Sequence, residues 1–514
     1  MSEHTIKKHV ARAGTVCLLA AVLGLAACGS DTTSGVTSTS TTRGSLIHDP
    51  PFRIASVDAA SFGAQLGATA SGAQLLLVAG TPTCGVDFYD IQYYTVDATG
   101  GSTTASGALM VPTGTAAQCS GGRPIVLYAH GTNTDRSLNL ADITNPNNTE
   151  GALIAAMFAA QGFIVVAPNY AGYDTSTLDY HPYLNADQQS KDMIDALTAA
   201  RTALPQTLTS SATDGGKLFI TGYSQGGHVA MATHRAMQAA GMKVTASAPM
   251  SGPYALEAFG DAVFYGQVNI GSTVFTPLLV TSYQKAYGNI YTSLTDVYEA
   301  KYAPMMADLL PSTTPLATLF ANGALPESAL FNSTPPETGN ATLDGYLAVP
   351  TNPVFAAGFG TNNLVTNNFR LAYVLDAVAN PDGAVPTPTA GVAVAANPQN
   401  TLRIAFKTND LRNWIPQAPV LMCGGDQDPT VFFSVNTLVM QQYWSKLPAG
   451  LITVVDVAAP VTGTTDPFAA AKVGYQTTIA GIAAAQGQSA AVQAIHTTEA
   501  PFCTAVARGF FAEF

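Results

Sequence analysis

Short apolar runs alternate with helix-type segments along much of the chain after residue 124. Apolar runs begin near residues 125, 163 and 217, and each leads into a stretch whose apolar residues recur at helical spacing. Continuous apolar runs are typical of strands buried on both faces of a parallel sheet, and the periodic segments are typical of covering helices. The pattern resumes at residue 418 with two more apolar runs. It predicts an α/β protein with a mostly parallel sheet and helices on both faces.

Two features depart from this alternation. Residues 86–96 and 103–111 are β-type runs separated by a short Gly-containing segment, which predicts an antiparallel hairpin at the start of the sheet. Residues 254–415 lose the strand-helix rhythm and carry aromatic and Met-containing helical segments such as 294–310. We expect a largely helical insertion that forms a lid. Its aromatic and sulfur-containing side chains either line an acyl pocket or pack the lid itself: Tyr298, Tyr302, Met305 and Met306.

The N-terminus has the pattern of an export signal. A basic stretch with Lys7, Lys8 and Arg12 precedes an apolar run that is short for a membrane span. Leu25-Ala26-Ala27-Cys28 then resembles a bacterial lipobox, in which the cysteine receives lipid; an ordinary secretory signal is the alternative. We expect a signal peptide over residues 1–27, a Ser/Thr/Gly-rich tether over 28–50 and a lipid anchor at Cys28. The predicted location is the bacterial cell envelope, or alternatively the secreted fraction.

Composition narrows the functional classes. The chain has 21 basic and 33 acidic residues, a net charge of -12, so nothing indicates nucleic-acid binding. No C-x-x-C or H-E-x-x-H pattern suggests zinc, and we expect no metal and no cofactor. Outside the signal and Cys28 four cysteines remain, an even set that suits an oxidising compartment. Proximity in the sequence favours two pairs: Cys84 with Cys119 and Cys423 with Cys503.

A G-x-S-x-G pentapeptide centred on Ser224 carries the chemistry. An apolar run, residues 217–221, precedes Gly222-Tyr223-Ser224-Gln225-Gly226, and a helical stretch follows it. In a nucleophile elbow the serine occupies a strained turn between strand and helix, and glycines let neighbouring backbone approach. Ser224 is therefore the candidate nucleophile.

A serine hydroxyl needs a base and a carboxylate that orients the base. In α/β hydrolases the order along the chain is serine, acid, histidine. His228 and His234 follow Ser224 too closely in the next helix to return to it, which leaves His496, expected on a late loop. Of two carboxylates in the turn after residue 422, Asp428 fits the usual spacing between Gly425 and Val431. Asp426 is the alternative acid.

These motifs resemble the α/β-hydrolase superfamily over nearly the whole mature chain. The segment Gly222-Tyr223-Ser224-Gln225-Gly226-Gly227 and the hairpin ending in Gly107-Ala108-Leu109-Met110-Val111-Pro112 are similar to lid-bearing secretory lipases. The resemblance implies ester hydrolysis through an acyl-enzyme. It also implies an oxyanion hole formed by the backbone NH groups of Gln225 and Thr132. The long helical segment between the last strand and His496 departs from the family, which usually reaches its histidine sooner.

The sequence thus predicts an α/β-hydrolase core in two parts, residues 51–253 and 416–514, with a lid over residues 254–415. The expected protein is an exported serine esterase or lipase that acts on small-molecule or lipid esters. Its lipid anchor at Cys28 would hold it to a membrane. Two alternatives stay open: a serine peptidase or amidase on the same fold, and a non-catalytic surface lipoprotein.

Overall fold

A nine-stranded mixed sheet forms the centre of the computed structural model, which describes residues 42–206 and 210–514. The spatial order of its strands is β1-β2-β3-β5-β4-β6-β7-β10-β11. The first three strands pair antiparallel, β3 joins β5 antiparallel, and every pair from β5 to β11 is parallel. The strands are β1 Phe52–Val57, β2 Gly85–Val96, β3 Ser102–Thr113, β4 Gly121–Ala129, β5 Ile164–Pro168, β6 Ala212–Tyr223, β7 Ala246–Met250, β10 Val420–Gly424 and β11 Ile452–Asp456.

Helices cover both faces of this sheet. On one face the apolar residues of α3 and α16 pack against the strands, and on the other face those of α4 and α5 do so. The core helices are α1 Ala59–Gly67, α2 Ala70–Ala79, α3 Thr149–Met157, α4 Ala186–Ala203, α5 Gln225–Ala239, α14 Thr437–Tyr443, α15 Ala469–Gln486 and α16 Gln488–Phe511. None of the helices within the described ranges has both the length and the apolarity that a bilayer crossing requires.

The predicted hairpin, the parallel strands and their covering helices are all confirmed. The start of the chain differs from expectation. Within the predicted tether, the backbone NH of Gly44 donates to the Tyr94 carbonyl at 2.8 Å, and that of Ile47 donates to the Gln92 carbonyl at 2.8 Å. The tether prediction is therefore wrong for these residues, because the open edge of β2 offers unpaired backbone groups that even a polar segment can satisfy. The predicted signal peptide and Cys28 lie outside the described residues.

The insertion between β7 and β10 has its own apolar core and is largely helical. The predicted helix over 294–310 is wrong: only a short helix and a 3-10 turn at Ala303–Met305 form, since Pro304 cannot donate a backbone hydrogen bond. Its elements are α6 Leu256–Phe264, α7 Ser272–Tyr287, α8 Leu294–Val297, α9 Leu316–Ala321, β8 Phe331–Asn332, α10 Ala341–Leu347, α11 Pro353–Ala356, β9 Phe359–Gly360, α12 Asn367–Ala379 and α13 Thr401–Asn409.

Buried ion pairs join three helices of the insertion. The Arg403 guanidinium on α13 lies 2.8 Å from the Asp261 carboxylate on α6 and 2.9 Å from that of Asp376 on α12. A buried guanidinium is tolerated only with such partners, so these contacts fix how the three helices pack.

Both disulfides expected from proximity are present. Cys84 is bonded to Cys119 across 35 residues, and Cys423 to Cys503 across 80 residues. The second bond links β10 to α16. In the chain-entropy account, closing the longer loop removes more freedom from the unfolded state.

We expect Cys423→Ser combined with Cys503→Ser to lower the free energy of unfolding by about 4 kcal/mol. The matched double change at Cys84 and Cys119 should cost less, because its loop is shorter. Chemical denaturation of both variants under oxidising conditions measures the difference. Equal stability of all three proteins would contradict the assignment.

Candidate active site

The turn between β6 and α5 presents Ser224 at the carboxyl edge of the sheet. Ser224 has φ 60° and ψ -122°, a backbone conformation that residues other than glycine rarely adopt. The turn is tight enough that a Cβ on Gly226 would lie 2.0 Å from the carbonyl oxygen of Ala129, and one on Gly222 would lie 2.4 Å from it. The two glycines therefore let β4 and the turn approach each other, and the strained turn directs the serine hydroxyl toward His496.

The structure brings Ser224, His496 and Asp428 together. Nε2 of His496 lies 2.8 Å from Oγ of Ser224, and Nδ1 lies 2.6 Å from Oδ2 of Asp428. A carboxylate only accepts hydrogen bonds, so Nδ1 carries the proton and Nε2 is free to accept one from the serine. All three residues are buried. This is the relation of nucleophile, base and orienting acid that acyl transfer requires.

The turn after β10 fixes Asp428. Its Oδ1 accepts hydrogen bonds from the backbone NH groups of Thr430 at 2.8 Å and Val431 at 3.1 Å, which leaves Oδ2 for the imidazole. Asp426, the alternative acid, is exposed. Its backbone NH donates to Asp456, and the His496 imidazole bonds to Asp428 instead.

His496 lies in the middle of α16 and not on the predicted loop. The helix α15 precedes α16 and packs against it, which supports the helix that carries His496. The Tyr223 hydroxyl donates to the backbone carbonyl of His496, and the two rings lie 5.0 Å apart. Tyr223, next to the nucleophile, thereby ties the elbow to the helix that carries the base.

The backbone NH groups of Gln225 and Thr132 are available to bind an oxyanion, whereas those of the preceding residues, Ser224 and Gly131, are already used. The NH of Ser224 donates to the Met250 carbonyl, and that of Gly131 donates to Glu150 at 3.0 Å. By contrast, no described residue accepts a hydrogen bond from the backbone NH of Gln225 or Thr132. The predicted oxyanion donors are thus unoccupied, although only Thr132 lines the cleft itself.

His181 holds the side chain of Gln225. Its Nδ1 donates to the Ala171 carbonyl at 3.0 Å, so its Nε2 accepts from the Gln225 amide at 2.6 Å. Burial lowers the pKa of His181 to about 3 and keeps the ring neutral. This role was not predicted, because only the fold brings His181 to Gln225, 44 residues further along the chain. His130 is likewise buried and stacks on Tyr170.

A second carboxyl group lies beneath the triad. Glu499, one turn after His496, accepts a hydrogen bond from Ser251 Oγ at 2.8 Å, and its Oε1 is buried without a partner. Burial, and then the neighbouring Asp428 charge, raise the pKa of Glu499 well above its ordinary value, which favours the protonated carboxyl group. Its spacing of three residues from His496 on one helix face was the available sequence signal.

Asp428, His496 and Glu499 also have the donor atoms that a metal ion could bind, within 4.8 Å of one another. The imidazole and the Asp428 carboxylate are nevertheless at hydrogen-bond distance, 2.6 Å, which leaves no room for an ion between them. The geometry therefore fits a hydrogen-bonded triad better than a metal centre.

The triad opens into a cleft of about 1970 Å³. Ser224, His496 and Thr132 lie at one part of its wall, and the insertion contributes Gly271, Val274, Phe275 and Leu316. The aromatic and Met residues proposed for an acyl pocket do not line it. Tyr298, Tyr302 and Met306 are buried in the insertion's own core, while Met305 is 40% exposed.

The sheet order, the elbow and the serine-acid-histidine sequence along the chain define an α/β-hydrolase fold. The insertion between β7 and β10 decorates that fold without changing it. The chain is therefore a hydrolase of this architecture.

Comparison with solved structures shows similarity to an esterase. A crystal structure of the rice cell wall degrading esterase LipA from Xanthomonas oryzae is 26% identical, with TM-score 0.61 over 86% of this chain and 98% of that one. A ligand-bound form of LipA gives 24% identity and TM-score 0.64 over 91% and 98%. A Legionella pneumophila structure at 16% identity shares the fold, with TM-score 0.61 over 91% and 97%.

The model of the prolyl oligopeptidase family matches residues 151–259, well under half of the chain. That stretch contains Ser224 but neither Asp428 nor His496. No curated protein matches the chain in sequence.

Glu499→Gln tests the protonation of the buried carboxyl. Because its folded pKa is raised above the ordinary 4.5, its stabilising contribution is complete below the unfolded pKa and is lost as the pH rises. The amide cannot ionise, so the free energy of unfolding of the variant relative to the wild type should increase with pH, by at most about 1.4 kcal/mol per pH unit. Urea denaturation between about pH 5 and pH 8 measures this.

The exposed residue Glu327 provides the matched control, since Glu327→Gln should leave the pH dependence of stability unchanged. Parallel pH profiles for wild type and Glu499→Gln would show that Glu499 ionises normally in the folded protein.

Proposed function

We propose that the protein hydrolyses carboxylic esters through an acyl-enzyme formed on Ser224. The observation that carries the proposal is the continuous chain of hydrogen bonds from Ser224 Oγ through His496 to Asp428. An isolated serine hydroxyl is a weak nucleophile, and this chain supplies both the base and the group that orients it.

The steps follow from the atoms in place. Ser224 Oγ attacks the acyl carbonyl while Nε2 of His496 takes its proton, and Asp428 stabilises the resulting imidazolium. The backbone NH groups of Gln225 and Thr132 donate to the negatively charged oxygen. Nε2 then protonates the leaving alcohol. A water molecule, deprotonated by the same imidazole, releases the acid and restores the serine.

Similarity to LipA supports an ester over other acyl substrates. LipA is called an esterase, and the likeness extends over nearly all of both chains. The cleft beside Ser224 is mostly apolar, and the only carboxylates among its described lining residues are Glu150 and Glu513. An ester with apolar groups suits such a lining.

A peptidase or amidase is the second candidate, since the prolyl oligopeptidase family model matches the segment around the nucleophile. Peptide substrates present charged termini and polar amides that call for charged or polar partners. The cleft's described lining has no lysine or arginine that could bind a peptide carboxylate.

We expect the wild type to hydrolyse p-nitrophenyl butyrate and to leave aminoacyl p-nitroanilides intact. Ser224→Ala should lower ester turnover by about 10⁴-fold or more, because the acyl-enzyme cannot form. The exposed Ser445 gives the matched control, and Ser445→Ala should keep full activity.

Ester turnover that survives Ser224→Ala would refute the mechanism, and anilide turnover would favour the peptidase. If a fluorophosphonate probe failed to label Ser224, the non-catalytic alternative would be favoured instead.

We further propose that the protein is exported and carries lipid on Cys28. The support is the Leu25-Ala26-Ala27-Cys28 sequence after a short apolar run, together with two disulfides, which persist in oxidising compartments.

In a bacterial host, Cys28→Ser should abolish incorporation of labelled palmitate and move the protein from the membrane fraction to the soluble fraction. Cys17→Ser, within the apolar run, is the control and should change neither. Undiminished labelling of the Cys28→Ser variant would exclude the anchor at this residue.

A further inference from the structure

The residues that line the cleft fall into two groups, which we call its short and long arms, and Ser224 and His496 line the same cleft. A short arm is lined by Thr132 and by Val274, Phe275 and Leu316 of the insertion. A long arm follows α16, the helix that carries His496, and is bordered by residues of α2 and α15. The nucleophile thus shares its cleft with one group of residues from the insertion and another along α16.

The long arm runs the length of the second half of α16. Its lining recurs about every four residues, at Thr497, Pro501, Ala505 and Gly509 of this helix and at Glu513 just beyond its end. At 1.5 Å per residue the arm extends about 25 Å from His496 to Glu513. A channel of this length fits an extended chain better than a compact group.

The chemistry of the long arm is apolar. Leu75, Val78 and Phe502 contribute to its walls, and Leu77 lines it while 86% exposed. Together with these apolar walls, Leu77 continues the apolar surface of the groove to its rim. Among its described lining residues, charge is confined to the ends, at the triad opening and at Glu513.

The proton transfer at the triad indicates which component of the ester binds in each arm. To leave, the alcohol oxygen must accept a proton from Nε2 of His496, so the alcohol component lies on the side of the imidazole. The acyl oxygen points instead toward the NH groups of Gln225 and Thr132. The arm that starts at His496 is thus the one that receives the alcohol component.

We propose that the groove along α16 binds the alcohol component of the substrate, and that this component is a long unbranched apolar chain. The acyl component occupies the short arm beneath the insertion. This inference rests on the proposed ester hydrolysis and adds the substrate class and the orientation of the ester.

Gly509 provides a way to block the groove without disturbing the fold. A Cβ added there meets nothing within 4 Å, and the residue lies about 20 Å along the helix from His496. An extended chain advances roughly 3.5 Å per three backbone bonds, so about 17 bonds reach Gly509 and about 12 reach Ala505. A bulky side chain at each position should therefore prevent the groove from binding alcohols longer than a limit that differs between the two positions.

The experiment uses two ester series: butyrates of linear alcohols from ethanol to octadecanol, and ethyl esters of linear acids. In the wild type, kcat/KM for the butyrates should rise with alcohol length, on the order of a hundredfold in total. Ala505→Phe should stop that rise near twelve carbons and Gly509→Phe near seventeen. Each should lower kcat/KM about tenfold for longer alcohols and less than twofold for ethyl butyrate.

Gly345→Phe is the control, because Gly345 lies on a helix of the insertion, has open space around its Cα and does not line the cleft. It should change neither series. Length-dependent losses in the acyl series instead would assign the groove to the acyl group. An unchanged length profile in both blocked variants would overturn the proposal. Wild-type hydrolysis of ethyl butyrate reports on ester hydrolysis separately, so the two claims fail independently.

Discussion

The position of α16 on the sheet is the constraint on which the site depends. This helix carries His496 to the serine and Glu499 beneath the triad, and it forms the floor of the long arm of the cleft. Three contacts hold it in place: the Cys423–Cys503 disulfide, the Tyr223 hydroxyl on the His496 carbonyl, and apolar packing against the strands. A rotation of this one helix would separate base, acid and nucleophile together.

The elbow supplies the second fixed point. Ser224 is held at positive φ because β4 and the turn approach closely at two glycines, and the serine's own NH is used by the Met250 carbonyl. The strain is maintained by the surrounding sheet. Nucleophile and base therefore come from rigid elements, whereas the acid comes from a turn that three hydrogen bonds immobilise.

Much of this architecture could be predicted from local pattern. The parallel strands, the hairpin and Ser224 follow from apolar runs and from a glycine-flanked motif, signals that lie within a few residues of one another. The choice of Asp428 over Asp426 came from spacing, and the structure places Asp428 at the imidazole.

The roles of Glu499 and His181 could not be predicted in this way, because each depends on a partner that only the fold brings near. His496 was expected on a loop, whereas the helix around it continues through Pro501 and packs against α15 and the sheet, contacts that only the fold supplies. The insertion was correctly expected to be mainly helical, yet which of its side chains face the cleft was decided by tertiary packing.

The proposed mechanism requires Ser224 to become acylated during turnover. Its most direct test is to quench the enzyme during steady-state hydrolysis of p-nitrophenyl butyrate and to analyse the peptide that contains Ser224 by mass spectrometry. We predict a butyryl group on Ser224 that is absent from the Ser224→Ala protein. Ester turnover with that peptide unmodified and the acyl group on another residue would contradict the account.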